Sequence, residues 1–245
     1  MREGSMRQTP KITAVILAGG FGTRLRSVIC DRPKVLAEVS GRPFLAYLLD
    51  QISSAGLRTV VISTGYMAET IEECLGDRHG PLHIVYSKED EPLGTAGALR
   101  LALRHLASET VLVMNGDSFV DADLNAYVSW FFEQERQAAL LLARVADTRR
   151  FGSVNIGKDN IIVSFEEKSK IAGPGWINAG VYLLKKSLIG GIEQGKRRSL
   201  ERDFFPKLAG KDLFGYCVEG RFIDIGTPQS YAAAEHFFCS ASKEA

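Results

Sequence analysis

Leu17–Leu25 reads Leu-Ala-Gly-Gly-Phe-Gly-Thr-Arg-Leu and continues an apolar run, Ile12–Leu17, that has the pattern of a buried strand. Glycine tolerates positive φ and lacks the Cβ that would hold an anion away from the backbone. Successive backbone N–H groups can then form a concave nest for phosphate, and Arg24 adds a permanently charged, forked donor beside them. A strand that breaks into this loop predicts a phosphate-binding site of the kind found in nucleotide enzymes.

The spacing of this loop separates it from two common phosphate loops. A dinucleotide-binding Gly-x-Gly-x-x-Gly would need a third glycine where the chain has Leu25. A Walker loop would end in Gly-Lys-Ser or Gly-Lys-Thr, whereas the basic residue here is Arg24. Further along, Lys34 supplies a second cation directly after Pro33, whose ring rigidifies the approach. The pattern therefore indicates a different phosphate site, with two cations.

Leu17–Leu25 together with Pro33–Lys34 resembles the signature of the sugar-1-phosphate nucleotidylyltransferases, and the resemblance runs from Ile12 to Ser230–Phe238. It implies transfer of a nucleotidyl group from a nucleoside triphosphate to a sugar 1-phosphate, with release of pyrophosphate. Two highly charged anions must meet, so such a site needs cations, a metal and N–H donors more than a base. The expected catalytic cations are Arg24 and Lys34. The nucleotide is expected to bind the loop at Leu17, Ala18, Gly19, Gly20, Gly22 and Thr23.

Two aspartates are candidate ligands for Mg²⁺. Asp117 lies in Asn-Gly-Asp-Ser, directly after an apolar strand, where a carboxylate suits a hard cation. Taken alone, such an aspartate more often turns the chain or caps a helix. In the resemblance, Asn115–Asp117 matches the metal-binding strand end, which makes Asp117 catalytic and places Gly116 at the nucleotide. Phe222–Pro228 matches a second metal-ligand motif that contains Asp224. We expect Asp117 and Asp224 to share one ion, because the ends of neighbouring parallel strands open into the same crevice.

Glu89–Gly97, Glu-Asp-Glu-Pro-Leu-Gly-Thr-Ala-Gly, is a second loop that enters a helix. In the resemblance it surrounds the nucleobase through Glu89, Gly94 and Thr95, and it looks most like the loop of guanylyltransferases. The Glu89 carboxylate can accept hydrogen bonds from guanine N1–H and N2–H₂, or one bond from a uracil or thymine imide, and it can also be a plain surface charge. Thr95 can additionally serve as a helix N-cap.

The sugar side of the resemblance lies in two later segments, Phe165–Lys168 and Ile177–Tyr182. Carried over by position, Lys168 would hold the sugar phosphate, while Glu167 and Asn178 would bond sugar hydroxyls, with Gly180 in the same strand. A solvated turn is the alternative for Glu166–Lys168.

The order of strand and helix patterns predicts a single α/β domain with a Rossmann-like, mostly parallel central sheet flanked by helices. We expect a nucleotide half at residues 11–120 and a sugar half at residues 121–240. Predicted strands are Ile12–Leu17, Thr59–Ser63, His83–Ser87, Thr110–Asn115, Ala139–Val145, Ser153–Ile156, Ile161–Glu166 and Ile177–Leu184. Predicted helices are Phe44–Ala55, Ala68–Leu75, Thr95–Leu106 and Ser230–Phe238.

Composition limits the partners. A net charge of +1 over 245 residues gives no general attraction to nucleic acid or to an anionic membrane, and Lys196–Arg198 is interpreted as a solvated loop. The four cysteines show no Cys-x-x-Cys pair, which predicts free thiols in a reducing cytoplasm. We find no stretch of transmembrane length and no signal peptide, and Gly4-Ser5 before Met6 suggests a cloning remnant at residues 1–5. The sequence leaves a homo-oligomer open.

Within the family, Asn115–Ser118 and Ile177–Tyr182 are most similar to D-glycero-D-manno-heptose 1-phosphate guanylyltransferases, and the chain is too short for the left-handed β-helix of many relatives. This subgroup implies GTP and a heptose 1-phosphate as substrates, Mg²⁺ as cofactor, and a GDP-heptose for surface polysaccharide such as capsule, lipopolysaccharide or S-layer glycan. The alternatives are a mannose 1-phosphate guanylyltransferase and a uridylyl- or thymidylyltransferase for a hexose 1-phosphate. A catalytically silent nucleotide-sugar sensor is an alternative of another class.

Overall fold

A computed structural model describes residues 11–166 and 173–241. The first part of the chain forms strands β1 (Ile12–Leu17), β2 (Glu38–Val39), β3 (Arg42–Pro43), β4 (Thr59–Thr64), β5 (Arg78–His79), β6 (Leu82–Lys88), β7 (Thr110–Asn115) and β8 (Ser118–Val120), and helices α1 (Phe44–Ser54), α2 (Ala68–Leu75) and α3 (Gly94–Ala102). The later part forms strands β9 (Ala138–Val145), β10 (Ser153–Ile156), β11 (Ile162–Glu166), β12 (Gly175–Lys185), β13 (Leu213–Val218) and β14 (Phe222–Asp224), and helices α4 (Leu124–Glu133), α5 (Lys186–Gly190), α6 (Phe205–Leu208) and α7 (Pro228–Ala241).

Eight of these strands form one central sheet in the order β13-β9-β12-β7-β1-β4-β6-β5. Neighbours β7, β1, β4 and β6 are parallel, as are β9 and β13. Strand β12 is antiparallel to both β7 and β9, and β5 is antiparallel to β6. The predicted fold class, an α/β fold with a mostly parallel sheet, is confirmed.

Helices cover both faces of this sheet, because its central strands are apolar on both sides. Along β1, Ala14 and Ile16 join the hydrophobic cluster that packs against α1 and α4, whereas Val15 joins the cluster on the opposite face with α3. This alternation follows from the two-residue period of a strand. The sheet is thereby fixed from both sides, and its strand ends carry the loops that form the site.

Most predicted elements are confirmed to within two residues at each end, and β1, α2, β7 and β10 have the predicted bounds. The helix predicted over Thr95–Leu106 is shorter: α3 ends at Ala102 and a 3₁₀ turn over Leu103–His105 tightens its end. Strands β8 and β14 were not predicted; they pair antiparallel as a separate two-stranded ribbon.

The four cysteines are free, as predicted, and each is exposed. Within the described ranges, the helices are too short or too polar to cross a lipid bilayer.

Candidate active site

The loop after β1 packs against β4 and against Lys34. The Ala18 N–H donates to the Ser63 carbonyl oxygen at 2.8 Å. Gly22 has a φ of +59°, in the region that favours glycine, and a Cβ at this position would lie 2.9 Å from Lys34 Cβ. A side chain at position 22 would therefore be strained and would displace Lys34 from the loop.

The backbone N–H groups of this loop are available to an anion. Within the described chain, the N–H groups of Gly19, Gly20 and Gly22 donate to no other backbone group. An N–H that stays unpaired beside a cavity is a donor for phosphate oxygen. The geometry therefore fits the predicted phosphate nest.

A cavity of about 550 Å³ opens beside the loop. It gathers the predicted residues Leu17, Ala18, Gly19, Gly20, Gly22, Thr23, Arg24, Lys34, Glu89, Gly94, Thr95 and Asp117. Its walls also contain residues that the sequence analysis did not select, namely Phe21, Val35, Ser63, Pro92, Ala98, Asn115, Arg197 and Gly226. Gly116 is not on this wall, because it packs beneath it, with its N–H on the Leu17 carbonyl oxygen at 3.0 Å.

Lys34 and Asp117 form an ion pair at the edge of the cavity. The Lys34 Nζ donates to Asp117 Oδ2 at 2.6 Å, and the Lys34 side chain is only 10% exposed. The 3₁₀ turn over Lys34–Leu36 holds the lysine in place, with Val35 buried beneath it. The pair places one cation and one carboxylate at the same point of the cavity.

Arg24 lies near Lys34 and Asp224, and the three side chains approach one another beside the backbone of Gly226. A Cβ at Gly226 would lie 2.6 Å from Asp224 Oδ1, 3.5 Å from Lys34 Nζ and 3.7 Å from Arg24 Nη2. The two predicted cations and the second predicted carboxylate therefore surround one glycine, and any side chain there would push into them.

Asp224 is held by several donors. Arg150 Nη2 donates to Asp224 Oδ2 at 2.9 Å, and the Asp224 side chain is 17% exposed. Asp224 Oδ1 accepts the Gly226 N–H at 2.7 Å and the Ser230 hydroxyl at 3.3 Å. Arg150 was not selected from the sequence, since nothing in its spacing connects it to Asp224.

The ribbon of β8 and β14 brings the two aspartates to the same place. Asp224 pairs with Ser118 in the ribbon, and the Ile225 N–H donates to the Asp117 carbonyl oxygen at 2.9 Å. The expected route, through the ends of neighbouring parallel strands, is wrong: the strands that connect the aspartates are short and antiparallel. The proximity itself arises because backbone pairing in the ribbon leaves the two residues at its end.

The donor set fits a divalent cation that arrives with a phosphate ligand. Among the described residues, no group of three or more histidine, cysteine, aspartate and glutamate side chains is placed to hold a metal ion. Asp117 and Asp224 are hard oxygen donors, and Mg²⁺ is commonly bound by one or two carboxylates with phosphate oxygens and waters completing its shell. The arrangement thus fits Mg²⁺ bound jointly with a nucleotide.

Glu89 also lines the cavity and is half-buried. Its Oε2 accepts the Leu93 N–H at 3.1 Å, and burial raises the pKa of the Glu89 carboxyl. A Cβ at Gly19 would lie 2.6 Å from Glu89 Oε1, so the glycine loop and this carboxylate are in close approach. No lysine or arginine of the described chain forms a salt bridge with Glu89, so the carboxylate is available to hydrogen-bond donors of a ligand.

Thr95 is not an N-cap. Helix α3 begins at Gly94 after Leu93, without a side-chain cap. The Thr95 hydroxyl instead donates to Glu201 Oε2 at 2.8 Å and accepts the Leu200 N–H at 2.8 Å. These contacts form because the chain from Arg198 onward packs on the start of α3.

The basic residues Lys196–Arg198 are exposed, as predicted, but backbone hydrogen bonds attach this segment to the start of α3. The Ala96 N–H donates to the Arg198 carbonyl oxygen at 3.0 Å, and the Arg198 N–H donates to the Leu93 carbonyl oxygen at 2.9 Å. This pairing brings Arg197 to the cavity wall. A run of three basic residues carries no signal for such backbone docking, so sequence reasoning missed Arg197.

On the sugar side, Asn178 and Gly180 bond to each other and to neighbouring residues. The Gly180 N–H donates to Asn178 Oδ1 at 2.9 Å, and Asn178 Nδ2 donates to the Tyr182 hydroxyl at 3.1 Å. Neither residue is on the cavity wall. Glu167 and Lys168 lie outside the described residues.

The family model described as nucleotidyl transferase matches residues 13–241. The chain belongs to this family. The resemblance carried by Leu17–Leu25 and Pro33–Lys34 is confirmed, and the protein is a nucleotidyltransferase enzyme.

Relatives of this nucleotidyltransferase include two sugar-1-phosphate guanylyltransferases. The chain is 36% identical over 223 residues to the D-glycero-alpha-D-manno-heptose 1-phosphate guanylyltransferase of Aneurinibacillus thermoaerophilus. This match covers 91% of this chain and 96% of the relative. It is 35% identical over 227 residues to the mannose-1-phosphate guanylyltransferase of Mycobacterium tuberculosis. This second match covers 91% of this chain and 63% of the relative.

Among solved structures, HddC from Yersinia pseudotuberculosis complexed with GMP-PN matches with a TM-score of 0.83 and 33% sequence identity. The match covers 92% of this chain and 99% of that chain. The nucleotidyltransferase fold is therefore shared over nearly its full extent.

Proposed function

We propose that this nucleotidyltransferase transfers GMP from GTP to D-glycero-α-D-manno-heptose 1-phosphate, giving GDP-heptose and pyrophosphate. The observation that carries the reaction type is the single cavity in which the glycine loop, Arg24, Lys34 and Asp117 meet. The heptose substrate is supported by the relative from Aneurinibacillus thermoaerophilus, which aligns over 96% of its length.

In the proposed reaction, an oxygen of the sugar phosphate attacks the α-phosphorus of GTP. A new P–O bond forms as the bond to the bridging oxygen breaks, and its electron pair leaves with pyrophosphate. The incoming phosphate is already a nucleophile, so the residues act by placing positive charge where negative charge builds up. Arg24 and Lys34 take this role, and the N–H groups of Gly19, Gly20 and Gly22 bind phosphate oxygens.

Asp117 and Asp224 would hold Mg²⁺, which would offset the charge of the triphosphate. In the protein alone these carboxylates pair with Lys34 and Arg150. Binding of the ion and the triphosphate would release Lys34 from Asp117, so the lysine becomes free to contact phosphate. The ion pairs thus hold both carboxylates in place before substrate arrives.

Glu89 is proposed to recognise guanine. A carboxylate can accept from N1–H and N2–H₂ of guanine together, whereas the imide of uracil or thymine offers one donor. Glu89 sits beside Gly19, and Gly94 and Thr95 line the same cavity. This arrangement gives GTP one hydrogen bond more than UTP or dTTP.

For the acceptor, Lys168 is proposed to hold the sugar phosphate, and Glu167 and Asn178 to bond sugar hydroxyls. Asn178 and Gly180 lie together in β12, where the Gly180 N–H donates to Asn178 Oδ1. We place the reaction in the cytoplasm, because four free, exposed thiols suit a reducing compartment.

Mannose 1-phosphate is the second candidate acceptor, favoured by the 35% identity to the Mycobacterium tuberculosis enzyme. A pyrophosphate-release assay decides between them. GTP, UTP, ATP, CTP and dTTP are each paired with heptose 1-phosphate and with mannose, glucose and galactose 1-phosphates. The proposal expects the highest kcat/KM for GTP with heptose 1-phosphate. A higher value for GTP with mannose 1-phosphate would reassign the acceptor, and no turnover with any pair would indicate a sensor.

A further inference from the structure

Asp224 is paired with an arginine from the later part of the chain. Arg150 lies in the loop between β9 and β10, and its Nη2 donates to Asp224 Oδ2 at 2.9 Å and to Oδ1 at 3.3 Å. Within the described ranges, no other lysine or arginine forms a salt bridge with Asp224. Arg150 is therefore the counter-ion of a carboxylate that is proposed to hold the metal ion.

Asp224 does not need Arg150 to keep its orientation. Its Oδ1 accepts the Gly226 N–H at 2.7 Å and the Ser230 hydroxyl at 3.3 Å. Its Oδ2 accepts from Arg150 alone among the described residues. The arginine thus occupies the oxygen that has no other donor, and the carboxylate would stay in place through Gly226 and Ser230 if the arginine left.

The Arg150 guanidinium can leave Asp224 without a movement of its loop. The Arg150 side chain is 49% exposed, whereas Lys34, the cation of the other ion pair, is 10% exposed. The loop backbone is tied to itself, because the Phe151 N–H donates to the Thr148 carbonyl oxygen at 3.0 Å. A rotation of the Arg150 side chain toward solvent is therefore sufficient to uncover Asp224.

The charges around this carboxylate oppose a bare cation and favour a triphosphate. Arg24, Lys34 and Arg150 supply three positive charges around the point where the side chains meet. Asp117 and Asp224 supply two negative charges, each within a salt bridge, so one positive charge is in excess. A divalent cation alone would meet two neutralised carboxylates and this excess, and Coulomb repulsion disfavours it. A triphosphate carries negative charge that offsets the excess.

We propose that Arg150 blocks Asp224 against a bare divalent cation, so that the carboxylate accepts the ion only when a triphosphate enters with it. The triphosphate attracts the guanidinium and offsets the charge that remains when the ion pair opens. Arg150 thereby selects the metal–nucleotide complex over the free ion, and it acts on the metal site only through Asp224. This inference rests on the proposed function for the metal site shared by Asp117 and Asp224.

The test is the binding of Mn²⁺ to the enzyme without nucleotide, measured from the electron paramagnetic resonance signal of the free ion. Mn²⁺ takes the same oxygen ligands as Mg²⁺. Arg150→Met should bind Mn²⁺ about threefold to tenfold more tightly than wild type, because it loses one partly exposed ion pair and one repelling charge. Its affinity for a non-hydrolysable GTP analogue in EDTA, measured by calorimetry, should fall, because the excess positive charge is gone.

Arg149→Met is the matched control. Arg149 lies in the same loop and is 54% exposed, but its Nε donates to Asp147 Oδ2 at 2.8 Å. The control removes the same charge without touching Asp224, so both affinities should stay within about twofold of wild type. Arg150→Gln, which keeps a hydrogen-bond donor and loses the charge, replaces Arg150→Met if that variant does not fold, and the same gain for Mn²⁺ is expected.

Opposite changes in the two affinities separate a specific effect from a damaged fold, which would weaken both. An Arg150 variant that binds Mn²⁺ no better than wild type, including no detectable binding by either, would overturn the inference. An equal gain in Arg149→Met would also overturn it, since the cause would then be net charge and not the contact. Wild-type turnover of GTP with sugar 1-phosphates is measured separately. Its absence would contradict the proposed function, whereas normal turnover with unchanged Mn²⁺ affinity contradicts this inference alone.

Discussion

Lys34 and Arg24 converge on Gly226 from separate parts of the loop region, and both are expected to act on charge that grows during transfer. Replacing either by alanine should lower kcat by about 10²–10³, with a smaller change in KM for GTP, because one well-placed donor has that effect in an oxyanion-type site. Steady-state pyrophosphate release measures both constants. Lys211→Ala, an exposed lysine outside the cavity, is the control. A variant with normal kcat would remove that residue from the catalytic set.

Glu89 is expected to set the preference for guanine. Glu89→Gln keeps an oxygen for the Leu93 N–H but replaces one acceptor by a donor, which faces the guanine donors unfavourably. The variant should lose about tenfold or more in kcat/KM for GTP, and less for ITP, which lacks the N2 amine. Equal losses for GTP and ITP would mean that Glu89 does not bond N2–H₂.

The same residue predicts a pH dependence. Burial raises the pKa of Glu89 above its ordinary value of 4.5, so the carboxylate takes up a proton as pH falls through that raised value. Protonation removes an acceptor, and KM for GTP should therefore rise on the acid side. The ratio of KM between wild type and Glu89→Gln cancels the titration of GTP itself. A ratio that stays constant with pH would contradict the assignment.

The ribbon of β8 and β14 is the element that makes Asp117 and Asp224 neighbours. If both serve one Mg²⁺ ion, Asp117→Asn and Asp224→Asn should not act independently. The double variant should lose little activity beyond the worse single variant, and a chelator should abolish wild-type turnover. A double variant whose loss of activity equals the product of the two single losses would contradict a shared ion, as would full wild-type activity in the presence of a chelator.

Helix α4 shows how a local cap supports the scaffold. The Asp123 carboxylate accepts the Asn125 and Ala126 N–H groups at 2.8 and 3.2 Å. Asp123→Ala should lower the free energy of unfolding by about 1 kcal/mol, measured by denaturant titration. Asp212→Ala, at an exposed position, should change it by less than about 0.5 kcal/mol. Equal effects would indicate that the cap is not the cause.

The central sheet was predictable where burial dictates the sequence. Strands β1 and β7 are apolar on both faces and end in glycine-containing loops, so their bounds could be predicted. The order of strands and helices also predicted the parallel strands, but not that β12 runs antiparallel to β7 and β9, because a two-residue period is the same in parallel and antiparallel strands. Strand β13 was missed since Gly215 interrupts its pattern, and that glycine is needed where a Cβ would lie 2.6 Å from Leu142 Cδ1.

Some residues of the site could likewise be predicted from the sequence, and others could not. The phosphate loop, Lys34 and Asp117 belong to contiguous motifs whose residue types already state their chemistry. Arg150 and Glu201 reach their partners only through tertiary packing, so no spacing in the sequence connects them to Asp224 or Tyr182. In the sequence, a charged residue of the site cannot be told apart from a charged residue of the surface, because only the folded sheet brings the former to its partners.

One structure tests the arrangement of the assembled molecule most directly: the complex with a non-hydrolysable GTP analogue and Mg²⁺. We expect a Glu89 carboxylate oxygen within hydrogen-bond distance of guanine N1 and N2. We also expect one Mg²⁺ ion with oxygens of both Asp117 and Asp224 at about 2.1 Å, and Lys34 moved from Asp117 to a phosphate. Guanine bound away from Glu89, or an ion held by only one of the two aspartates, would contradict the account.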